Sequence, residues 1–91
     1  MAKAGTVVIS LSGKDQGRLL AVTGGDDRRI LTADGRHRKL DHPKAKNPRH
    51  LRQTGLELTA SQMRSDRQLR IALRELAQET ADREKEESGL G

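Results

Sequence analysis

The sequence contains no cysteine and no phenylalanine, tryptophan or tyrosine. Without cysteine there are no disulfide staples and no thiolate metal sites, which accords with a reducing compartment. Without aromatic rings, a core has to be assembled from Val, Ile and Leu, and the bases of a nucleic acid have no ring platform on which to stack. Hydrophobic residues make up only 32% of the 91 positions. A domain of this length buries only about 60 to 65% of its unfolded surface, so one small, tightly closed domain of modest stability is expected. Apolar runs such as Val7-Val8-Ile9 fall far short of a signal-peptide core or of the roughly twenty residues that span a bilayer. No Trp or Phe anchors an interfacial helix. These absences point to a cytoplasmic protein with no membrane partner.

What is present is charge of one sign, unevenly placed. Residues 1–53 carry 12 Lys and Arg against five Asp, a net of +7, while residues 54–91 carry six basic and eight acidic residues, a net of −2. A basic front module is thus separated from a mildly acidic tail near Thr54-Gly55, and the front favours an anionic partner.

Thr6 to Leu11 is β-branched, with Val7, Ile9 and Leu11 on one face at the period of a half-buried strand. Ser12-Gly13-Lys14-Asp15-Gln16-Gly17 has no apolar residue and two glycines, the composition of a turn with positions at positive φ. Strands are expected over Arg18–Thr23 and, after the turn Gly24-Gly25-Asp26-Asp27, over Arg28–Ala33. The dipeptide Asp34-Gly35 then reads as a hairpin leading into a strand at Arg36–Leu40. Pro43 and Pro48 forbid regular ladder pairing across His42–Arg49, leaving a basic loop before a short last strand around His50–Gln53. Such a meander argues for a small barrel, whose closure removes exposed edges.

Helix takes over after Thr59. Ser65 and Gln68 match a capping box, and Leu69, Ala72, Leu73, Leu76 and Thr80 fall on one stripe. Thr59 and Gln62 form a second box that allows an upstream start. Arg83 to Gly91 is nearly all charged or glycine, so the end is expected to fray. The expected organisation is a barrel over 1–58, a helix over 59–87 and a disordered tail over 88–91.

The stretch Gly5-x-Val7-Val8-x-Ser10-x-x-Gly13-Lys14-Asp15-x-Gly17-Arg18, with Val22 beyond it, resembles a KOW motif, whose turn glycine corresponds to Gly17. The order Ala33-Asp34-Gly35, Arg38-Lys39-Leu40, Pro43-Lys44-Ala45-Lys46-Asn47 and His50-Leu51 extends the similarity over roughly residues 5–76, toward bacterial KOW-domain RNA-binding proteins akin to a eukaryotic and archaeal large-subunit ribosomal protein. The resemblance implies a mainly β, SH3-like barrel of about five strands followed by a C-terminal helix. It also implies binding to structured RNA, ribosomal above all, through the KOW turn and nearby basic loops. The chain departs from the pattern of that family in lacking its strand aromatics, in placing Arg28-Arg29 before Ile30-Leu31, and in having Ala45 within what is commonly a longer lysine run.

From the residues themselves, Arg36 to Arg52 holds seven Lys and Arg and one Asp, a net of +6. A phosphate backbone suits it, because each basic group that neutralises a phosphate releases condensed counterion. A charge run of this kind is otherwise a solvated loop. Arginine grips phosphate bidentately and stacks on bases, so Arg36, Arg38, Arg49 and Arg52 are the selective candidates, with Lys39, Lys44 and Lys46 positioning and His50 a contact or packing residue. At the KOW turn, Lys14 and Arg18 flank amides that Gly13 and Gly17 leave open to a phosphate. Gly13, Gly17 and Gly35 shape turns.

Other chemistries find little support. Asp15 and Asp34 read as turn caps or local ion pairs, and no second positioned acid or base makes either of them catalytic. His37, His42 and His50 match no ligand spacing, so neither a metal nor any other cofactor is expected. Gly13-Lys14 is not a P-loop, since Val8 stands where its first glycine belongs and Asp15 follows the lysine. On the helix, Arg64, Arg67, Arg70 and Arg74 lie near the start and Glu84, Glu86 and Glu87 near the end, against the helix dipole. Arg67, Arg70 and Arg74 share an arc opposite the leucine stripe, and either extend the basic surface or form a solvated face with an Asp66–Arg70 pair. The expected function is a non-catalytic RNA-binding protein on ribosomal RNA or the large subunit, in contact with its proteins and with no small-molecule substrate. The alternative is a protein-interaction adaptor, using the barrel or the Leu69–Leu76 stripe.

Overall fold

The computed structural model describes the backbone of residues 3–90 and the side chains of residues 3–79. Met1, Ala2 and Gly91, and the side chains of Thr80, Glu84, Glu86 and Glu87, lie outside them. The chain is mainly β, with five strands in one antiparallel sheet and a C-terminal helix. The strands are β1 Thr6–Ser10, β2 Leu19–Gly25, β3 Ile30–Ala33, β4 Lys44–Lys46 and β5 Leu51–Glu57, in the order β4-β3-β2-β1-β5, and α1 spans Asp66–Leu90.

The central strands are apolar on both faces. Val7, Ala21 and Ala33 face the helix and bury Leu69 and Leu73, while Val8, Leu20 and Val22 form a second cluster on the other face, edged by Ile30 and Leu51. Alternating one-sided burial therefore does not hold for β1, where Val7 and Val8 are both buried and Leu11, expected on the inner face, is exposed. The alanines at 21 and 33 let the helix lie close to the sheet. Leu69 is fully buried there, a contribution of roughly 1.5 to 3 kcal/mol at ordinary transfer values.

Register shifts lie between Thr6 and Val8 on β1 and between Val22 and Gly24 on β2. Such irregularities add twist and bend a sheet. The sheet curls until Lys46, on edge strand β4, reaches Ser10 on β1, with Nζ donating to Oγ at 3.1 Å. This curl makes the fold barrel-like and encloses the second cluster.

Two strand expectations are corrected. Arg36–Leu40 is not a strand. The Asp34 carboxylate instead takes the amides of Arg36 and Arg38, each at 2.8 Å, and the amides of Asp34 and Gly35 donate to the Arg38 carbonyl, so the chain folds back on itself. On the side away from β2, β3 pairs instead with Lys44–Lys46, within the segment expected to be a loop. Pro43 and Pro48 bracket this strand at the sheet edge, where a missing amide costs no ladder bond.

The last strand is longer than expected, running through Thr54-Gly55 to Glu57, so the change of charge at that point is not a structural boundary. The Thr59–Gln62 box forms in both directions, with Thr59 N donating to Gln62 Oε1 and Gln62 N to Thr59 Oγ1, but it caps a turn. The helix starts after Ser65, whose hydroxyl accepts from Gln68 N at 3.2 Å. Its bounds include residues 88–90, which the sequence assigns to a tail.

Candidate nucleic-acid interface

The turn between β1 and β2 is set by two glycines at positive φ, Gly13 at +77° and Gly17 at +84°. Three of its amides are already engaged. Gln16 N donates to the Gly13 carbonyl, Gly17 N to Ser10 and Arg18 N to Asp15, at 3.2, 2.8 and 2.9 Å. The expected amide-lined phosphate approach is thus closed at these three positions. The turn presents the side chains of Lys14 and Arg18 outward and sends that of Asp15 inward.

Asp15 is 4% exposed and meets Lys46, itself 9% exposed, with Nζ 3.6 Å from Oδ2. Lys46 also donates to Ser10, so it ties β4 to β1 and to the turn. An ion pair at Asp15 was anticipated from sequence, but as a local one. Lys46 leaves the set of exposed cations, because one hydrogen bond to Ser10 and the ion pair with Asp15 turn its ammonium inward.

The segment after β3 is built on Asp34. Burial raises its carboxyl pKa, but the amide hydrogen bonds from Arg38, Arg36 and His37 outweigh that and hold it below the usual carboxylate value. Gly35, at φ +77°, sits against the helix start, where a Cβ would meet the Asp66 carbonyl oxygen. Leu40 N donates to Asp66 Oδ1 at 2.8 Å and closes the loop onto α1. Arg36 and His37 are displayed at its exposed tip, whereas Arg38 is half-buried and its Nε has no hydrogen-bond partner.

These three pieces enclose a cleft of about 490 Å³. Its rim carries Arg18 from the turn, Arg36 and His37 from the loop, and Arg70 and Arg74 from α1; its floor is Leu19, Leu73 and Ala77. Arg18 Nη1 donates to His37 Nδ1 at 3.0 Å, which joins turn to loop. Among the described residues no carboxylate forms an ion pair with Arg18, Arg36, Arg70 or Arg74. The acid in the lining, Asp34, has its Oδ1 occupied by backbone amides and its Oδ2 3.7 Å from His37.

Compared with family models and with curated proteins, the chain matches none. Its site therefore rests on its own geometry.

Of the residues singled out from sequence, Arg18 and Arg36 come together in the cleft. Lys14, Lys39, Lys44, Arg49, His50 and Arg52 are exposed and do not line it. The helical arginines divide. Arg70 and Arg74 flank the leucine stripe instead of opposing it, and Leu73 of that stripe shares the cleft with them, while Arg67 is exposed outside. The Asp66–Arg70 pair of the solvated-face alternative does not form, since Asp66 is turned to Leu40. Four residues apart, Arg70 and Arg74 were legible as one face of a helix. Which loop that face meets was not.

Proposed function

We propose that the protein is a non-catalytic RNA-binding module of the KOW kind, acting in the cytoplasm on ribosomal RNA or the large ribosomal subunit. The observation that carries this reading is the convergence of Arg18, Arg36, Arg70 and Arg74, drawn from three separate elements, on one cleft where, among the described residues, no carboxylate forms an ion pair with them. Four guanidiniums held together in this way repel one another, and a polyanion relieves that cost. Exposed Lys14, Lys39, Lys44, Arg49 and Arg52 extend the positive field beyond the cleft. The motif resemblance over Gly5–Arg18 and the small curled sheet support the same reading. Phosphate, 2′-hydroxyl and shape recognition suit a chain without aromatic rings.

The adaptor alternative loses one of its two surfaces, because Leu69 and Leu73 are buried against the sheet. Cosedimentation with purified large ribosomal subunits at low salt tests the proposal. Comigration that fades as salt rises is expected. Failure to comigrate removes the ribosomal assignment, and failure to bind ribosomal RNA as well removes the RNA reading.

A further inference from the structure

The cleft is more than a patch of positive charge, because its floor is apolar. Leu19 on β2 and Leu73 and Ala77 on α1 form a surface that a phosphate alone has no use for, directly beneath a rim of arginines. Leu19 is half-buried, as expected of a side chain with one face open to a cavity. A volume of about 490 Å³ falls in the range of pockets that take small organic ligands, roughly 300 to 1,000 Å³. A base-paired nucleotide keeps its base inside the duplex stack and offers such a cleft only its backbone. An unpaired nucleotide offers a phosphate, a ribose and a free base face together.

We infer that the cleft takes one unpaired nucleotide of an RNA strand, with its phosphate on the arginine rim and its sugar or base over Leu19, Leu73 and Ala77. The inference rests on the RNA reading above and sharpens it, naming a bulged or looped nucleotide as the unit recognised and α1 as one wall of its site. Arginine is suited to this dual task, since its planar guanidinium pairs with phosphate through two hydrogen bonds and also stacks on a base. His37 contributes a hydrogen-bonding edge beside Arg18. Asp34, which also lines the cleft, keeps Oδ1 on the Arg36 and Arg38 amides, so it anchors the loop, and its single negative charge is outnumbered by the four arginines of the rim.

The test uses the full chain and two RNA hairpins of the same stem, one with a single bulged nucleotide and one fully paired. Wild type is expected to bind the bulged hairpin about fivefold more tightly or better, the scale of covering about 40 Å² of apolar surface. Arg70→Gln/Arg74→Gln, at two exposed positions whose charge the fold does not need, is expected to lose that preference. Arg49→Gln/Arg52→Gln removes the same charge away from the cleft and is expected to weaken both hairpins alike while keeping their ratio. Equal wild-type affinity for the two hairpins, or a preference that survives in Arg70→Gln/Arg74→Gln, overturns the nucleotide site and leaves the RNA reading standing. Absence of salt-sensitive binding to either hairpin overturns both.

Discussion

Lys46 and Asp15 meet across the curl of the sheet, ammonium to carboxylate at 3.6 Å and both nearly sealed from water, joining edge strand β4 to the turn between β1 and β2. One bond from Lys46 to Ser10 completes the ammonium's contacts, while Asp15 Oδ2 has no hydrogen-bond partner of its own. Removing one member of such a pair leaves the other buried and uncompensated. Lys46→Met should therefore destabilise the protein by about 3 kcal/mol, the usual cost of breaking a buried pair from one side. Urea denaturation measures it. The double variant Lys46→Met/Asp15→Leu should recover much of the loss, and a single-variant cost below about 1 kcal/mol would show the pair to be solvated.

Two glycines at similar positive φ should respond differently to alanine. At Gly17 an added methyl meets nothing, so Gly17→Ala carries only the backbone cost of a left-handed residue, about 1 to 2 kcal/mol. At Gly35 the methyl also strikes the Asp66 carbonyl at the start of α1, and the cost should reach about 3 kcal/mol or more. Thermal unfolding of the two variants gives the order directly. An equal loss at both sites would mean that the loop after β3 does not hold the helix as closely as described.

The helix is attached by a narrow apolar stripe. Leu69→Ala should cost about 3 kcal/mol, within the range for large-to-small changes in a core. Ser65→Ala should cost about 1 kcal/mol through loss of the bond to Gln68 N. Chemical denaturation followed by circular dichroism distinguishes the two. A larger effect at Ser65 than at Leu69 would contradict docking of α1 on the sheet.

Asp34 predicts a dependence on acid. Its folded pKa lies below the ordinary 3.8, so the stability it contributes is fully present above that value and is lost as pH falls through the lower folded one. The stability advantage of wild type over Asp34→Asn should be level near neutrality and shrink on acidification below 3.8. Denaturant midpoints for the two proteins across an acid pH series measure it. A gap that widens in acid would contradict the amide cage around the carboxylate.

Much of this architecture could be read from the chain, and the parts that could not share a cause. β1, β2 and β3 were marked by β-branched and apolar runs between glycine turns, and the start of α1 by Ser65 and Gln68. β4 was hidden because Lys44-Ala45-Lys46 carries no apolar pattern; it is a strand only because β3 offers Ile30, Leu31 and Thr32 as partners. Arg36–Leu40 looked like a strand because the Asp34-Gly35 hairpin signal is strong. The observed turn depends on where the Asp34 carboxylate points and on Asp66, 26 residues beyond Leu40, taking its amide.

The site divided in the same way. Arg18 and Arg36 were found as members of charge runs, which are local features. Lys46 was placed with them because nothing near it in sequence reveals that its partner lies in the first turn. Arg70 and Arg74 were recognised as a helical face, yet their place in the cleft depends on how Leu69 and Leu73 seat the helix over Ala21 and Ala33. Contacts between distant segments decided every one of these cases.

The most direct test of the account is the salt dependence of RNA binding by wild type beside Arg18→Gln/Arg36→Gln. If about five cationic side chains neutralise phosphates, the logarithm of the association constant should fall linearly with the logarithm of salt concentration, with a slope of about −4. The variant should bind more weakly and show a slope nearer about −2.5, because two contacts are gone. Wild-type binding that is insensitive to salt, or a variant whose affinity and slope match those of wild type, would contradict it.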